Sequence, residues 1–452
     1  MTRKFRTANY EETLDLKVSL RECLPPDHLA RFVVDIVTQL DLSAIYGQFS
    51  DFGAPPYAPE IMLGLLFYGY ITGVFSSRKI EKATHESIPF RFIAGNMHPD
   101  HDTIANFRKD FLSEIKGLFV DILLVAQEMG IFKLGNISLD GSKVRAEASK
   151  SKAVSHKRLL ALESYLQAEI EELFALAEQA DQDSIPTGMV IEDEITLRQE
   201  RLARLAEAKA VLEARAQARY EEEQAKHEVE LRKREEKAKR TGRKPPGSAP
   251  KPPTPGPRDK DQYNFTDPDS RIMKNCTDKG FNQYYNTQVA VDHDTLLIVG
   301  QTLSNHPNDK REALPTLEAI PAEIGRPKSA AMDNGYYSEN NVNKIAAKGI
   351  EPYIAAGREP HRKSWRAYFA QESDPPPEDA TTKEKMAYKL RTEIGRAIYR
   401  LRKCTVEPVI GIIKEVMGFR QFSLRRLEAA AGEWALVCIA FNLKRMHVLQ
   451  YG

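Results

Sequence analysis

The chemistry legible in this chain is carried by three acidic residues and by the cations around the last of them. Near the C-terminus, Tyr399-Arg400-Leu401-Arg402-Lys403-Cys404-Thr405-Val406-Glu407-Pro408-Val409-Ile410-Gly411-Ile412-Ile413-Lys414 sets one carboxylate among basic residues on a helix-forming stretch. Glu407 and Lys414 are seven positions apart, about two helical turns, so both are expected on one face. A divalent metal on the first and a phosphodiester on the second would be neighbours there; a solvated ion-pair face is the bland alternative. In Gly135-Asn136-Ile137-Ser138-Leu139-Asp140-Gly141-Ser142-Lys143 a short apolar run stops at an acid followed by glycine, which predicts a strand ending in Asp140. In Ser329-Ala330-Ala331-Met332-Asp333-Asn334-Gly335-Tyr336-Tyr337-Ser338 a buried-strand run again ends in an acid, Asp333, with Ser338 placed to cap the next helix. Taken singly, each aspartate reads as a turn or cap residue. Strand-end Asp, strand-end Asp and helix Glu in that order is far more specific, and both aspartates would lie at the carboxyl edge of a sheet.

These blocks together resemble the bacterial insertion-sequence transposases that use an Asp-Asp-Glu triad on a ribonuclease H-like fold, and the resemblance covers most of the chain. Asp140-Gly141-Ser142-Lys143 is similar to the first block of that family, Asp333-Asn334-Gly335-Tyr336 to its second, and Tyr399, Arg402, Glu407 and Lys414 to its Tyr-Arg-Glu-Lys signature. Thr266-Asp267-Pro268-Asp269 followed by Tyr285-Asn286-Thr287-Gln288 is similar to the stretch that re-enters the catalytic sheet in a subgroup. Four residues separate Arg402 from Glu407 where three is usual, whereas Lys403 has the usual spacing, so either basic residue fits the signature. The resemblance implies that Asp140, Asp333 and Glu407 are catalytic and hold two divalent ions, Mg²⁺ or Mn²⁺, with Asp140 bridging both. It implies that Tyr399, Arg402 or Lys403, and Lys414 hold DNA phosphates. The implied activity is cleavage of the transposon ends by water, followed by attack of the freed 3′-hydroxyl on target DNA. The implied partners are double-stranded DNA, both ends and target, and further copies of the chain as a homodimer or higher oligomer. Two rival functions are a nuclease with the same triad but no strand transfer, and a non-catalytic helical scaffold or regulator. The scaffold gives no reason for three acids in this order.

The elements that must position these residues give an α/β fold: a ribonuclease H-like mixed sheet flanked by helices, with an N-terminal all-helical domain and a helical-hairpin or coiled-coil insertion. Residues 1–130 read as the helical domain, with Leu63, Leu65, Leu66, Phe67 and Ile71 in its core behind the Pro55-Pro56 loop. Near Pro99 a helix starts that Asp102 or Thr103 is expected to cap, with Arg108 facing outward. The resemblance gives this domain the task of gripping transposon-end DNA; a plain helical bundle fits the periodicity equally well. Residues 131–150 hold the first catalytic strand, 151–262 interrupt the domain, and 263–452 complete it. Within the interruption, Leu159, Leu162, Leu166, Leu173 and Leu176, then Leu202, Leu205 and Leu212, form an a/d stripe broken at Ile185-Pro186-Thr187-Gly188, with Lys209 at an intervening a-type position. Seven prolines from Pro245 to Pro257 then rule out regular structure and predict a stiff, basic, disordered linker. It reads as a solvated tether, or as a source of nonspecific phosphate contacts from Lys237, Lys239, Arg240, Arg243 and Lys244. After it, Tyr284–Val291 and Thr295–Thr302 are expected as paired strands around Asp292-His293-Asp294, Asn308-Asp309 opens a helix, and Pro352–Ala355 is a further strand. Trp365, flanked by Arg362 and Arg366, reads as packing or as a stacking platform for an unpaired base.

Composition excludes more than it selects. With 452 residues and 42% apolar content the chain is long enough for two or three domains with real cores. Cys23, Cys276, Cys404 and Cys438 have no paired or metal-ligand spacing, which argues against a disulfide framework and a zinc site and for a reducing cytoplasm. The charged start Met1-Thr2-Arg3-Lys4-Phe5-Arg6 lacks the apolar core of a signal peptide. Ile61–Phe75, interrupted by Gly64, Gly69 and Gly73, is too short to span a bilayer and reads as a buried helix. A net charge of +1 means that any DNA-binding field must come from local clustering.

Overall fold

The computed structural model describes residues 19–49, 55–180, 190–243, 247–275, 280–357, 375–377 and 379–452. Two compact units emerge, one from Met1–Val144 with Tyr285–Gly452 and one from Arg145–Tyr284. Trp365 and the Lys244-Pro245-Pro246 step lie outside the described residues.

In the first unit the helices are α1 (Leu29–Val37), α2 (Ser43–Tyr46), α3 (Pro59–Thr72), α4 (Ser77–Glu86), α5 (Ile88–Ile93), α6 (His101–Asp110) and α7 (Leu112–Glu128). Helix α3 is buried on every side, as its apolar composition all round requires, and Leu63, Leu65, Leu66, Phe67 and Ile71 are all in the core. No single described helix is long and apolar enough to cross a membrane. Helix α6 corrects two expectations. Its N-cap is Asp100, whose carboxylate accepts from Thr103 N at 2.8 Å, rather than Asp102 or Thr103. Arg108 points inward and is buried, because its guanidinium donates to the Tyr70 hydroxyl at 3.1 Å and to Phe75 O at 3.3 Å.

The sheet of this unit starts with β1 (Asn136–Arg145), whose Ile137, Ser138 and Leu139 are buried in succession, as in a central strand covered on both faces. In the second unit are β2 (Ala153–Ser155), the helices α8 (His156–Ala180) and α9 (Ile191–Thr241), β3 (Gln262–Asn264) and β4 (Arg271–Asn275). Then β5 (Gly280–Asp292), β6 (Ile298–Ser304), α10 (Ala313–Glu318), β7 (Ser329–Met332), α11 (Glu339–Ala347), β8 (Glu351–Ile354), α12 (Thr382–Lys389), α13 (Glu393–Gly411) and α14 (Leu427–Tyr451) follow. The strand order is β6-β5-β1-β7-β8, with β5 and β6 antiparallel and β1, β7 and β8 parallel. Three strands, a helix, a strand, a second helix and a last parallel strand thus wind into a mixed sheet flanked by helices. The α14 helix packs on α3, α7 and β6. Its Asn442 side chain accepts from Ile298 N and donates to Ile298 O, both at 2.8 Å, which ties the helix to the sheet.

In the second unit α8 and α9 form a helical hairpin around Leu159, Leu166, Leu205, Ala208 and Leu212, with Leu162 and Leu202 partly buried beside them. Ala208 takes the buried position that Lys209 interrupts in the stripe, and Lys209 turns to pair with Glu163 at 3.0 Å. Leu176, counted into the stripe, is exposed. The stretch after α9 departs from the expected free tether. It is irregular, but it lies back along α9: Arg234 donates to Gly247 O at 2.8 Å, His227 meets Pro250 O at 3.1 Å, and Arg219 pairs with Asp261 at 2.9 Å. Prolines present carbonyls without a competing N–H, so a basic helix face can dock such a segment without regular pairing.

Candidate active site

Asp140 and Asp333 come together because their strands are parallel neighbours. The pairs Asn136↔Ser329, Ile137↔Ala330 and Ser138↔Ala331 put β1 and β7 in register up to the point where β7 stops at Met332 and Asp333 leaves the sheet. Asp333 Oδ1 then accepts from Gly335 N at 2.7 Å and caps a 3-10 turn, and Ser338 caps α11 through Asn341 N, as the sequence suggests. Asp140 differs from expectation in one respect: it stands mid-strand, since β1 continues to Arg145. The apolar run ends at Leu139, but the strand is held beyond it by long-range bonds such as Thr287 Oγ1 to Ser142 O at 2.6 Å.

Glu407 sits on α13 and is joined to Asp140 through one guanidinium. Arg402 Nη1 lies 3.2 Å from Asp140 Oδ2 and Arg402 Nη2 lies 3.2 Å from Glu407 Oε1. The Arg402 side chain is only 12% exposed, Glu407 is half-exposed, and the Tyr399 ring centre is 6.0 Å from the guanidinium carbon. Lys403 is exposed on the same helix, so Arg402 is the basic residue that meets the carboxylates. Burial pushes the Asp140 carboxyl up, Arg402 and the Gly141 N–H pull it back, and the charges of Asp333 and Asp309 push it up again, to about 6. Burial also opposes the Arg402 charge, but Asp140, Tyr399, Glu407 and Asp333 outweigh it and raise its pKa.

Lys414 is set by a local irregularity. Pro408 inside α13 has no N–H to donate, and the following Ile412–Val416 is wound as a π-helix. That wider turn sends the Lys414 ammonium to Ser142 Oγ and to Lys143 O at 3.2 Å, on the strand that carries Asp140.

Four neighbours, Asp309, Asn286, Gln288 and Tyr336, have no role at the site in the sequence analysis. Asp309, read there only as a helix-opening residue, accepts from Asn286 Nδ2 and Gln288 Nε2, both at 2.8 Å. Gln288 Oε1 in turn accepts from the buried Tyr336 hydroxyl. The Tyr285-Asn286-Thr287-Gln288 block was the available signal, because two amides two apart on a strand point to one face.

A divalent cation suits the chemistry of this donor set. Carboxylates are hard oxygen donors, and a cation would offset both the burial of the Asp140 carboxylate, which chiefly raises its pKa, and the smaller push from Asp333 and Asp309. Among the described residues no three acidic, histidine or cysteine side chains converge on one point as they stand, since Arg402 fills the gap between Asp140 and Glu407.

Two family models match the chain. A transposase domain matches residues 18–110, and a transposase DDE domain matches residues 249–443, which includes Asp333 and Glu407. No curated protein and no solved structure matches. Asp140 lies outside both matched segments, and the β1–β7 pairing together with the Arg402 contact is what brings it to Asp333 and Glu407. The two matches identify the chain as a DDE transposase of an insertion sequence, an enzyme that cleaves DNA and transfers the cut strand.

Proposed function

We propose that Asp140, Asp333 and Glu407 are the catalytic triad of this transposase and hold two divalent ions, Mg²⁺ or Mn²⁺. The observation that carries the reading is that Asp140 stands on β1 and Asp333 directly follows β7, its parallel neighbour, while Arg402 joins Asp140 to Glu407. When bound, such ions neutralise the charge developing on attacking, leaving and nonbridging oxygens. The chain's own residues do the rest. Arg402, stacked near Tyr399, gives up its two carboxylates and turns its fork to a phosphate of the transposon end, which a planar guanidinium engages with two parallel bonds. Lys414 releases Ser142 and adds a second phosphate contact, with Lys403 a third from the exposed face. Water is the first nucleophile and the freed 3′-hydroxyl the second. The helices before β1 grip the transposon end, a reading supported by the exposed Arg78 and Lys79 at the start of α4. Joining two ends to one target calls for at least a dimer on DNA.

The test uses Asp140→Asn, Asp333→Asn and Glu407→Gln, which keep shape and remove charge. Each is expected to abolish cleavage of supplied transposon ends and the appearance of joined products while DNA binding persists, with double variants no worse than singles. Near-normal Mg²⁺-dependent cleavage by any one of them removes that residue from the triad.

A further inference from the structure

A fourth carboxylate, Asp309, stands beside Asp140 and the turn that carries Asp333. Asp309 begins a 3-10 turn in the connection between β6 and α10. Its Oδ1 takes the amides of Asn286 and Gln288, so the plane of the carboxylate is fixed from β5. A Cβ on Gly141 would collide with the Gln288 amide and stand 2.9 Å from Asp309 Oδ1. A Cβ on Gly335 would stand 2.9 Å from Asp333 Oδ1 and 3.6 Å from Asp309 Oδ2. Neither glycine has a positive φ, so backbone conformation does not demand it. The glycine just after Asp140 and the one two residues after Asp333 are therefore the openings that admit Asp309 between them.

The charge arrangement carries the argument further. Asp140 has Arg402 as its counter-charge, at 3.2 Å. Among the described residues neither Asp309 nor Asp333 has an ion-pair partner, and the donors to Asp309 are neutral amides. Oδ2 of Asp309 faces the Asp333 turn, and Arg402, which feels the Asp333 charge, makes its ion pairs with Asp140 and Glu407 instead. Neighbouring carboxylates of like charge repel, and an arrangement that fixes one of them by two amides beside two glycines suits a cation shared between them.

We propose that Asp309 is a fourth cation-holding carboxylate of the transposase site, binding through Oδ2 while Asn286 and Gln288 hold Oδ1. The proposal rests on the triad reading above. It assigns the DNA-cleaving centre three aspartates, from β1, from the turn after β6 and from the end of β7, with Glu407 arriving from a helix.

The experiment is Mn²⁺ titration of the full chain without DNA, read by the paramagnetic resonance of free Mn²⁺. Asp309→Asn keeps an oxygen for the two amides and replaces Oδ2 by a nitrogen. Its Mn²⁺ affinity is expected to fall at least about tenfold, as for Asp333→Asn, with the unfolding midpoint in EDTA close to that of the unaltered chain. Unchanged Mn²⁺ affinity in Asp309→Asn, with loss in Asp140→Asn and Asp333→Asn, overturns the proposal and leaves the triad standing. Unchanged affinity in all three overturns both. A second measurement needs no variant: Fe²⁺ with ascorbate and peroxide cuts the backbone beside the metal it replaces. Cuts near residues 140, 309 and 333 support the assignment, and cuts near 140 and 333 with none near 309 refute it.

Discussion

At the scale of single residues the site is governed by Asp140. Its pKa in the folded chain is raised from 3.8 to about 6, so ionising it opposes folding. The stabilising preference for the protonated form is complete below about pH 4 and lost as pH rises through about 6, an effect of about 3 kcal/mol. Arg402 on one side and Asp333 and Asp309 on the other are the charges that face it. In EDTA, Asp140→Asn is therefore expected to be more stable than the unaltered chain at pH 7 by about 1–3 kcal/mol, with the difference vanishing near pH 4 in denaturant titrations. Gly141→Ala tests the crowding on the other side of the same carbon chain. Its methyl must displace Gln288 or Asp309, and a misplacement of this kind is expected to lower cleavage by about 100-fold while DNA binding remains. An unchanged cleavage rate would show that the gap is not needed. Residue types made Asp333 legible, because a four-residue buried strand stops directly before it. They hid Asp309, since an acid after His306-Pro307-Asn308 looks like any helix opener and only the approach of Gly141 and Gln288 gives it a site. Arg108 was hidden for a related reason: charge in sequence suggests solvent, and the Tyr70 hydroxyl that receives it is on another helix.

At the scale of elements, α13 and its π-wound extension act as a unit that sets the phase between Glu407 and Lys414. Regular α periodicity already predicts a shared face; the π turn adds the offset that carries Lys414 to β1. Deleting Gly411 shifts everything after it by about 100°. This deletion is expected to weaken binding to transposon-end DNA as much as Lys414→Ala, and both should lower the salt slope by about one phosphate contact. If the deletion binds with an unaltered slope, the phase is unimportant. The segment from Gly247 to Asp261 illustrates the opposite limit of sequence reading. Proline content correctly excludes helix and strand, yet it is silent on docking, which depends on Arg219, His227 and Arg234 far back along α9. Arg219→Ala removes the pair with Asp261 and the bond to Gly256 O, and is expected to open this segment to limited proteolysis several-fold faster than in the unaltered chain. The β5–β6 hairpin was legible because its partners are close in sequence. The extension of β1 beyond Asp140 was not, because its partner strand is distant.

At the scale of the whole chain, the first unit is assembled from both ends of the sequence. Glu433 of α14 shows how tightly. It is fully buried and accepts from the Tyr70 hydroxyl at 2.9 Å, from Ser423 N and Oγ at 2.8 Å, and from Leu424 N at 2.9 Å, while Arg108 donates to the same Tyr70. Removing such an acceptor strands several buried donors, so Glu433→Ala is expected to destabilise this unit by about 3–5 kcal/mol, measurable as a lower unfolding midpoint. The placement of residues 146–279 between β1 and β5 has a temporal consequence. As the chain leaves a ribosome at roughly 5–20 residues per second, β1 emerges on the order of ten seconds before its antiparallel neighbour exists. During that interval the α8–α9 hairpin can form from local contacts, whereas Ile137 and Leu139 have no sheet to join. Nascent chains arrested near residue 260 should therefore already protect the hairpin from protease while β1 remains cleavable. The acidic centre we propose is among the last parts of the chain to exist, so on that reading a truncated translation product carrying the helical N-terminal segment would lack it.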